Sequence, residues 1–567
     1  MTEDLIESGD PTTLSPTRKM SLYRMYPSDS LLELAAPKIL EDTHETFTRR
    51  EVRVGPNSGL LISGESPADA VDWVPAIKSL TGVDLGFTST TASAAIFLRI
   101  DDVNYALTFG HGWRYLRDSK LDREFGLDVA VRLLDPDEIR RITRWALSAK
   151  ARVDQNMVPG GQGLWAFGLR EHAELVRKLS GKVHGDVTVD LSYVRRRGTY
   201  RNFRLSLECG DGVQLPLGIQ GESLTSDLRE LTQVVAQMKV RDRLEPLQWV
   251  RRLAPGHDLH DILDSTAADL LAQPDTNRGE VGIAYPAKYY DGPDVQVYRG
   301  HVGSTQIDTH DLGIDNLRSG LQGRSPEDQL RTLRSSTIDG LDENGHSLGG
   351  NVSALHWMAA EIIDPECRYI LLDGDWYRLG DKYLQHVDRI VADAFANTPT
   401  WTLPLWNAAP LNAKTNSVHE RDYNTYVPTV DNRFLCLDRK LLRTRVHPLG
   451  FETCDLLGPG NVLIHVKKVS SETGSSVLSH LFAQGLVAAE SLSDPATWTE
   501  FLQLVRDKDP ARADTLGSRP DGLVYAIHRS DKPLLPDTLF TFARSALVSA
   551  AISLASANIP LQISVIP

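Results

Sequence analysis

FLCLDRKLL (434–442), FETCDLL (451–457) and VLIHVKKV (462–469) are followed by SSVLSHLFAQGLVAAESL (475–492) and GLVYAIHR (522–529). The first three runs are β-rich and broken by Gly or Pro, so they read as short strands. The fourth carries Leu478, Leu481, Phe482 and Leu486 at helical spacing, and the fifth is a further strand. An apolar strand buries most of its side chains, so a charged residue inside one needs a partner or a purpose. Asp455 and Lys467 are such residues.

Three strands, a helix and a strand, with Asp455 on the second strand and Lys467 on the third, resemble the core of the PD-(D/E)xK nuclease superfamily. The resemblance implies an αβββαβ core that cleaves phosphodiesters with Mg2+ or Mn2+. Asp455 matches the first acid, Lys467 the lysine, and Glu420 in VHERDYN the acid supplied by a preceding helix. His465 stands where the second acid belongs, near the metal or phosphate, so a further metal ligand would come from Glu452 or Asp438. Gln484 matches the polar residue that the next helix turns toward the site. Cleavage needs a nucleophilic water and relief of charge on phosphate, which a carboxylate-held metal supplies. Magnesium takes one or two carboxylates and keeps its waters, and a lysine can position the attacking water. The plain structural reading has Asp455 ending a strand at the LLGPGN turn and Lys467 and Lys468 on an edge strand.

The chain has 567 residues, which suggests two to four domains. With 41% hydrophobic and 24% charged residues it is a globular, ordered composition. The net charge of −14 argues against a protein that coats nucleic acid nonspecifically, while leaving room for a local basic patch. Cys209, Cys367, Cys436 and Cys454 have no paired spacing, which excludes a zinc ribbon and fits a reducing cytoplasm. The acidic amino terminus lacks the apolar core of a signal peptide, and SALVSAAISLASANI (545–559) is shorter than a bilayer span, so no membrane association is expected.

The expected organisation is mixed α+β and multidomain, with a flexible tail at 1–18, an N-terminal α+β domain at 19–240, a middle α/β region at 241–400 and a nuclease-like domain at 401–567. SLYRMY (21–26) reads as a strand, SLLELAAPKIL (30–40) as a helix, and 94–112 as a hairpin turning at Asp101–Asp102. REFGLDVAVRLLDPDEIRRITRWAL (123–147) reads as strand and then helix. YVRRRGTYRNFRL (193–205) reads as a basic hairpin: Arg195, Arg196, Arg197, Arg201 and Arg204 interleave with Tyr193, Tyr200 and Phe203 and no acid. Arginine forks pair with phosphate and aromatic faces stack on bases, so this mixture suits single-stranded or distorted DNA or RNA. The competing reading pairs these arginines with the protein's own carboxylates.

GHSLGG (345–350) matches the G-x-S-x-G nucleophile elbow of α/β-hydrolases, with Ser347 as nucleophile. The preceding STIDGLDEN is turn chemistry, and NVSALHWMAAEII (351–363) reads as a helix. LTFGHGWRYL, REFGLDVAV, LDGDWYRLGDKYL, ERDYN and CDLL…IHVKK…LSHLFAQG resemble, in that order, a sporadically distributed, functionally uncharacterised bacterial family found near restriction and other defence genes. Together these readings point to a cytoplasmic, metal-dependent nuclease acting on foreign DNA or RNA in anti-phage defence, with other defence-system subunits or a second copy as protein partners. Two other classes stand beside it: a non-catalytic nucleic-acid or partner-binding sensor, and a serine hydrolase using Ser347.

Overall fold

The computed structural model describes residues 16–567 apart from 41–46, 66–68, 71–73, 84, 86, 147–152, 164–173, 198–204, 274–277, 285, 287–294, 311, 343–344, 349–350, 365–366, 413–415, 445–449, 470–473 and 530–532. The chain is mixed α+β and forms two compact units, one ending at Gln248 and the other built chiefly from Trp249–Pro567. Residues 249–400 and 401–567 belong to the same unit.

The first unit is organised on a ten-stranded sheet. Its strands are β1 (Thr17–Met25), β2 (Phe47–Val54), β3 (Asn57–Glu65), β4 (Ala92–Ile100), β5 (Val103–Phe109), β6 (Leu134–Ala146), β7 (Val153–Gln162), β8 (Glu174–Val183), β9 (Ser206–Cys209) and β10 (Val213–Gly218). They lie in the order β2-β3-β4-β5-β1-β10-β9-β8-β6-β7. The β4–β5 hairpin turns at Asp101 and Asp102, whose φ values of 46° and 66° are the left-handed pair such two-residue turns demand. Residues 123–147 reverse the expected order, with helix α1 (Phe125–Leu133) before strand β6, because Phe125, Val129, Ala130 and Leu133 share one buried helical face. The expected basic hairpin instead begins with helix α2 (Ser192–Arg197). Asp227 of helix α3 (Gly221–Gln237), fully buried, seats its start by accepting from the Ser192 N–H at 2.7 Å and hydroxyl at 2.8 Å. SLLELAAPKIL likewise breaks into a 3-10 turn and a short helix at Pro37–Leu40.

The second unit holds three larger sheets. In chain order its strands are β11 (Val250–Arg252), β12 (Gly279–Ile283), β13 (Val297–Val302), β14 (Thr305–Thr309), β15 (Thr337–Leu341), β16 (Val352–Ser353), β17 (Met358–Ile363), β18 (Arg368–Leu372) and β19 (Asp375–Leu379). They pair as β11-β19-β18-β17-β12 and β14-β13-β15-β16. The stretch 351–363, expected as a helix, forms β16, a 3-10 turn and β17, since Met358–Ile362 is a continuous buried run that a strand covered on both faces also produces.

The third sheet carries the candidate site. It comprises β20 (Leu435–Cys436), β23 (Leu456–Leu457), β24 (Leu463–Val469), β25 (Leu523–Arg529) and β26 (Leu561–Ile566), paired in that order, with the hairpin β21 (Leu441–Leu442) and β22 (Phe451–Glu452) beside it. β20, β23 and β24 are antiparallel neighbours, whereas β24, β25 and β26 run parallel. Two long helices cover one face: α4 (Gly474–Leu492), which leads from β24 towards β25, and α5 (Thr541–Ser556), which crosses over to β26. The opposite face takes α6 (Glu420–Val430), whose Tyr423 and Val427 pack with Ile464, Val466, Val524 and Ala526. Trp406, stacked between Tyr423 at 4.6 Å and His528 at 4.7 Å, fixes that helix against the sheet. Among the described residues no helix is long and apolar enough to cross a membrane.

Glu361 of β17 has no exposed surface and ties the start of α5 to the neighbouring sheet, accepting from Arg368 at 2.8 Å and from the Thr541 N–H and hydroxyl. Glu361→Ala would leave a buried guanidinium and helix-terminal N–H without their acceptor. It should cost about 3–5 kcal/mol in urea unfolding of the second unit, with Glu361→Gln intermediate.

Candidate active site

The site lies where the third sheet forks. β23 pairs with β24 only through Leu456↔Ile464 and Leu457↔Leu463, and the ladder ends as the Asp455 N–H donates to the Ile464 carbonyl at 2.9 Å. Beyond this point the edge of β24 still presents the N–H groups of Val466 and Lys468, two residues apart on the same side. Carboxylates take the place of the missing strand. Asp455 Oδ2 accepts from the Val466 N–H at 2.7 Å, and Glu420 Oε1 accepts from the Lys468 N–H at 3.1 Å. The Lys467 ammonium donates to the other Glu420 oxygen, Oε2, at 3.1 Å. Glu420 is the first residue of α6, where the positive end of the helix favours an acid.

A second acid pair faces the fork. Burial pushes the half-buried Asp455 carboxyl up to about 8; the Val466 N–H opposes the shift, while Asp438, which shares a hydrogen bond with Asp455, and the nearby Glu452 add to it. Two carboxyl groups this close cannot both hold full charge, so one keeps a proton. Glu452 accepts from the Gln484 amide of α4 at 2.9 Å. That helix comes close enough because residue 485 is glycine: a Cβ there would lie 2.6 Å from the Tyr525 ring on β25. The chain therefore brings Glu420, Asp438, Glu452, Asp455, Lys467 and Gln484 to one place from five separate segments.

His465 behaves differently. Its side chain has no exposed surface, its ring centroid is 6.4 Å from that of Tyr525, and neither ring nitrogen has a hydrogen-bond partner among the described residues. Burial pushes its pKa down to about 4, so the ring is neutral. It sits in the core beneath the site rather than on its surface, because alternation along β24 turns it towards α4. Among the described residues no three His, Cys, Asp or Glu side chains stand close enough to hold a metal ion. The strand repeat explains this: Asp455 and Glu420 grip N–H groups two residues apart, which separates them by about 7 Å. Asp438 and Asp455 by themselves fit magnesium, which asks for one or two carboxylates, and a cation there would relieve the proton they share.

Sequence reasoning missed Asn424, one helical turn beyond Glu420. It is fully buried with both side-chain polar atoms unpartnered among the described residues, and its spacing of four from Glu420 was the available signal. Of the basic segment, Arg195, Arg196 and Arg197 lie in α2, while their side chains and the whole of Tyr200, Arg201 and Arg204 fall outside the described residues. Ser347 is exposed and bridges to Leu341; the next element is strand β16, so no strand-to-helix elbow surrounds it.

A family model described as a family of unknown function (DUF6119) matches residues 20–567. The chain belongs to that family. No curated protein and no solved structure matches it significantly.

The raised pKa of Asp455 has a definite sign for stability. The folded unit holds a proton that the unfolded chain releases near pH 4, so stability is full at low pH and is lost as pH rises from about 4 through about 8. Asp455→Asn keeps an acceptor for the Val466 N–H and removes the titration. In chelator, the wild-type melting temperature should fall more between pH 6 and pH 9 than that of the variant, leaving the variant a few degrees more stable at pH 9.

Proposed function

We propose that this DUF6119 protein is a metal-dependent nuclease whose active site is the fork of the third sheet, acting on foreign DNA or RNA in the cytoplasm as part of anti-phage defence. The observation that supports this most is the meeting of Glu420, Asp455 and Lys467, each from a different element, on one strand edge. The elements from α6 through β25 include a helix, three antiparallel strands, a helix and a parallel strand, with the hairpin β21–β22 inserted before β23 and two further helices, Pro495–Arg506 and Pro510–Ala513, before β25, an order that resembles a PD-(D/E)xK core with insertions.

Asp438 and Asp455 would hold Mg2+ or Mn2+, with Glu452 beside them. Such an ion supplies an acidified water and relief of phosphate charge. The residues then divide the remaining work. Lys467, held by Glu420 and about a third exposed, presents a cation that can orient the attacking water or balance charge developing on the phosphate. Gln484 fixes Glu452 and so limits where the acid pair can move. His465 takes no part that requires contact with substrate, since it is buried and neutral.

One observation favours a second reading, a nucleic-acid or partner-binding sensor with a degenerate core. The position two before Lys467 is a buried histidine, and among the described residues the acids do not converge in threes. Digestion of plasmid, linear duplex, single strands and tRNA with manganese or chelator separates the two. The expected result is metal-dependent cutting that Lys467→Ala reduces by about 100-fold or more, with folding preserved because Glu420 keeps its bond to the Lys468 N–H. Equal inertness of wild type and variant, with nucleic acid still bound, would replace the nuclease by the sensor.

A further inference from the structure

The first unit carries a groove of about 770 Å³ that crosses its ten-stranded sheet. Its lining comes from β1, β10, β9, β8, β6 and β7, which are neighbours in that order. Five steps of about 4.8 Å make it about 24 Å long. Lys19 of β1 lies toward one end, and Arg140 and Arg141 of β6 lie toward the other. Glu208 stands between them, 3.5 Å from the Lys19 ammonium and 3.3 Å from the Arg141 guanidinium, so one carboxylate is shared by two cations. Arg140 has no hydrogen-bond or ion-pair partner among the described residues, and its Nε is buried without an acceptor. The groove thus carries three cations against one acid in a chain whose net charge is −14.

A partly buried guanidinium without a counter-ion is costly unless an anion completes it. Lys19 and Arg141 reach from opposite sides to the one Glu208 carboxylate, so the charge is gathered there and the length of the groove selects among anions. A free nucleotide would meet the cations around Glu208 and leave most of the groove empty. A duplex carries its phosphates on the outside of a stiff cylinder that does not fit such a groove, whereas a single strand can lie along it with phosphates at the gathered cations and a base against an aromatic ring. Tyr193 lines the wall. Tyr193 and Leu205, the two ends of the arginine-rich stretch, both border the groove. We infer that this groove binds a single-stranded nucleic acid, with Arg140 and Lys19 on its phosphates and Glu208 as a built-in competitor for them. The inference does not depend on cleavage at the fork.

The test is fluorescence anisotropy with labelled oligothymidylate and oligouridylate on the full-length Lys467→Ala protein in chelator, so that cutting cannot remove the probe. Arg140→Ala should weaken binding about 10-fold and lower the salt slope by about 0.7. Glu208→Gln should tighten binding severalfold, a direction that loss of folding cannot produce. A loss on one probe alone identifies the polymer as DNA or RNA. The inference is overturned if both variants bind as the parent does, if a duplex of the same length binds as tightly as the strand, or if ATP displaces the strand at equal concentration.

Discussion

Two backbone N–H groups on one strand edge set the terms for the site. Once β23 turns away from β24, the N–H groups of Val466 and Lys468 have no strand to bond, and a buried donor left unpaired costs about 1–3 kcal/mol. Side chains must supply the acceptors, and carboxylates are the strongest available. Asp455 and Glu420 do so. The same step that completes the backbone concentrates negative charge at the mouth of the fork. Lys467 balances part of it through Glu420, and Asp438 and Asp455 relieve the rest by sharing a proton. Asp455 and Glu420 each hold a backbone N–H, so their substitution disturbs the fold, whereas Lys467 holds up no backbone and is the cleaner probe of the proposed chemistry.

The histidine at 465 follows from the same geometry. Side chains alternate along a strand, so the face of β24 that carries Leu463 and Val469 into the core beneath α4 carries residue 465 there too. An acid at that depth would need a metal or a cation within reach, or it would hold its proton. Histidine gives up its charge more easily, and burial lowers its pKa accordingly. In the proposed nuclease the ligand burden would fall on the β20 side of the fork, where Asp438 and Glu452 flank Asp455. The site has several acids in electrostatic range and, among the described residues, no compact set of three.

Three elements were legible from their period, the β-rich runs that form β24 and β25 and the helical stripe of α4 through Leu478, Leu481, Phe482 and Leu486, whereas 434–442 and 451–457, read as one strand each, split into β20 and β21 and into β22 and β23, with β21 and β22 pairing apart from the third sheet. Charged residues within apolar strands marked Asp455 and Lys467 for the same reason. Depth was not legible. His465 and Lys467 read alike as polar residues on one strand face, yet one is sealed beneath α4 and the other reaches the surface. Short apolar runs were ambiguous, as 351–363 shows, where a fully covered strand and a helix leave the same composition. Segment 193–205 was judged by its arginines, while Asp227, 35 residues beyond Ser192, decides that its start is helical.

The groove of the first unit could not have been seen from any one segment. Lys19 is far along the chain from the adjacent pair Arg140 and Arg141, and only the placement of β1 and β6 within one sheet gathers them. A chain with a net charge of −14 repels polyanions at long range, so any nucleic acid it holds must be held by local geometry. Three cations against a single strand give a salt slope of only about −2, and Glu208 reduces even that. Binding of this kind is weak for unstructured contact and gains from fit along the groove, which is how an acidic protein can recognise one form of nucleic acid without collecting all of them.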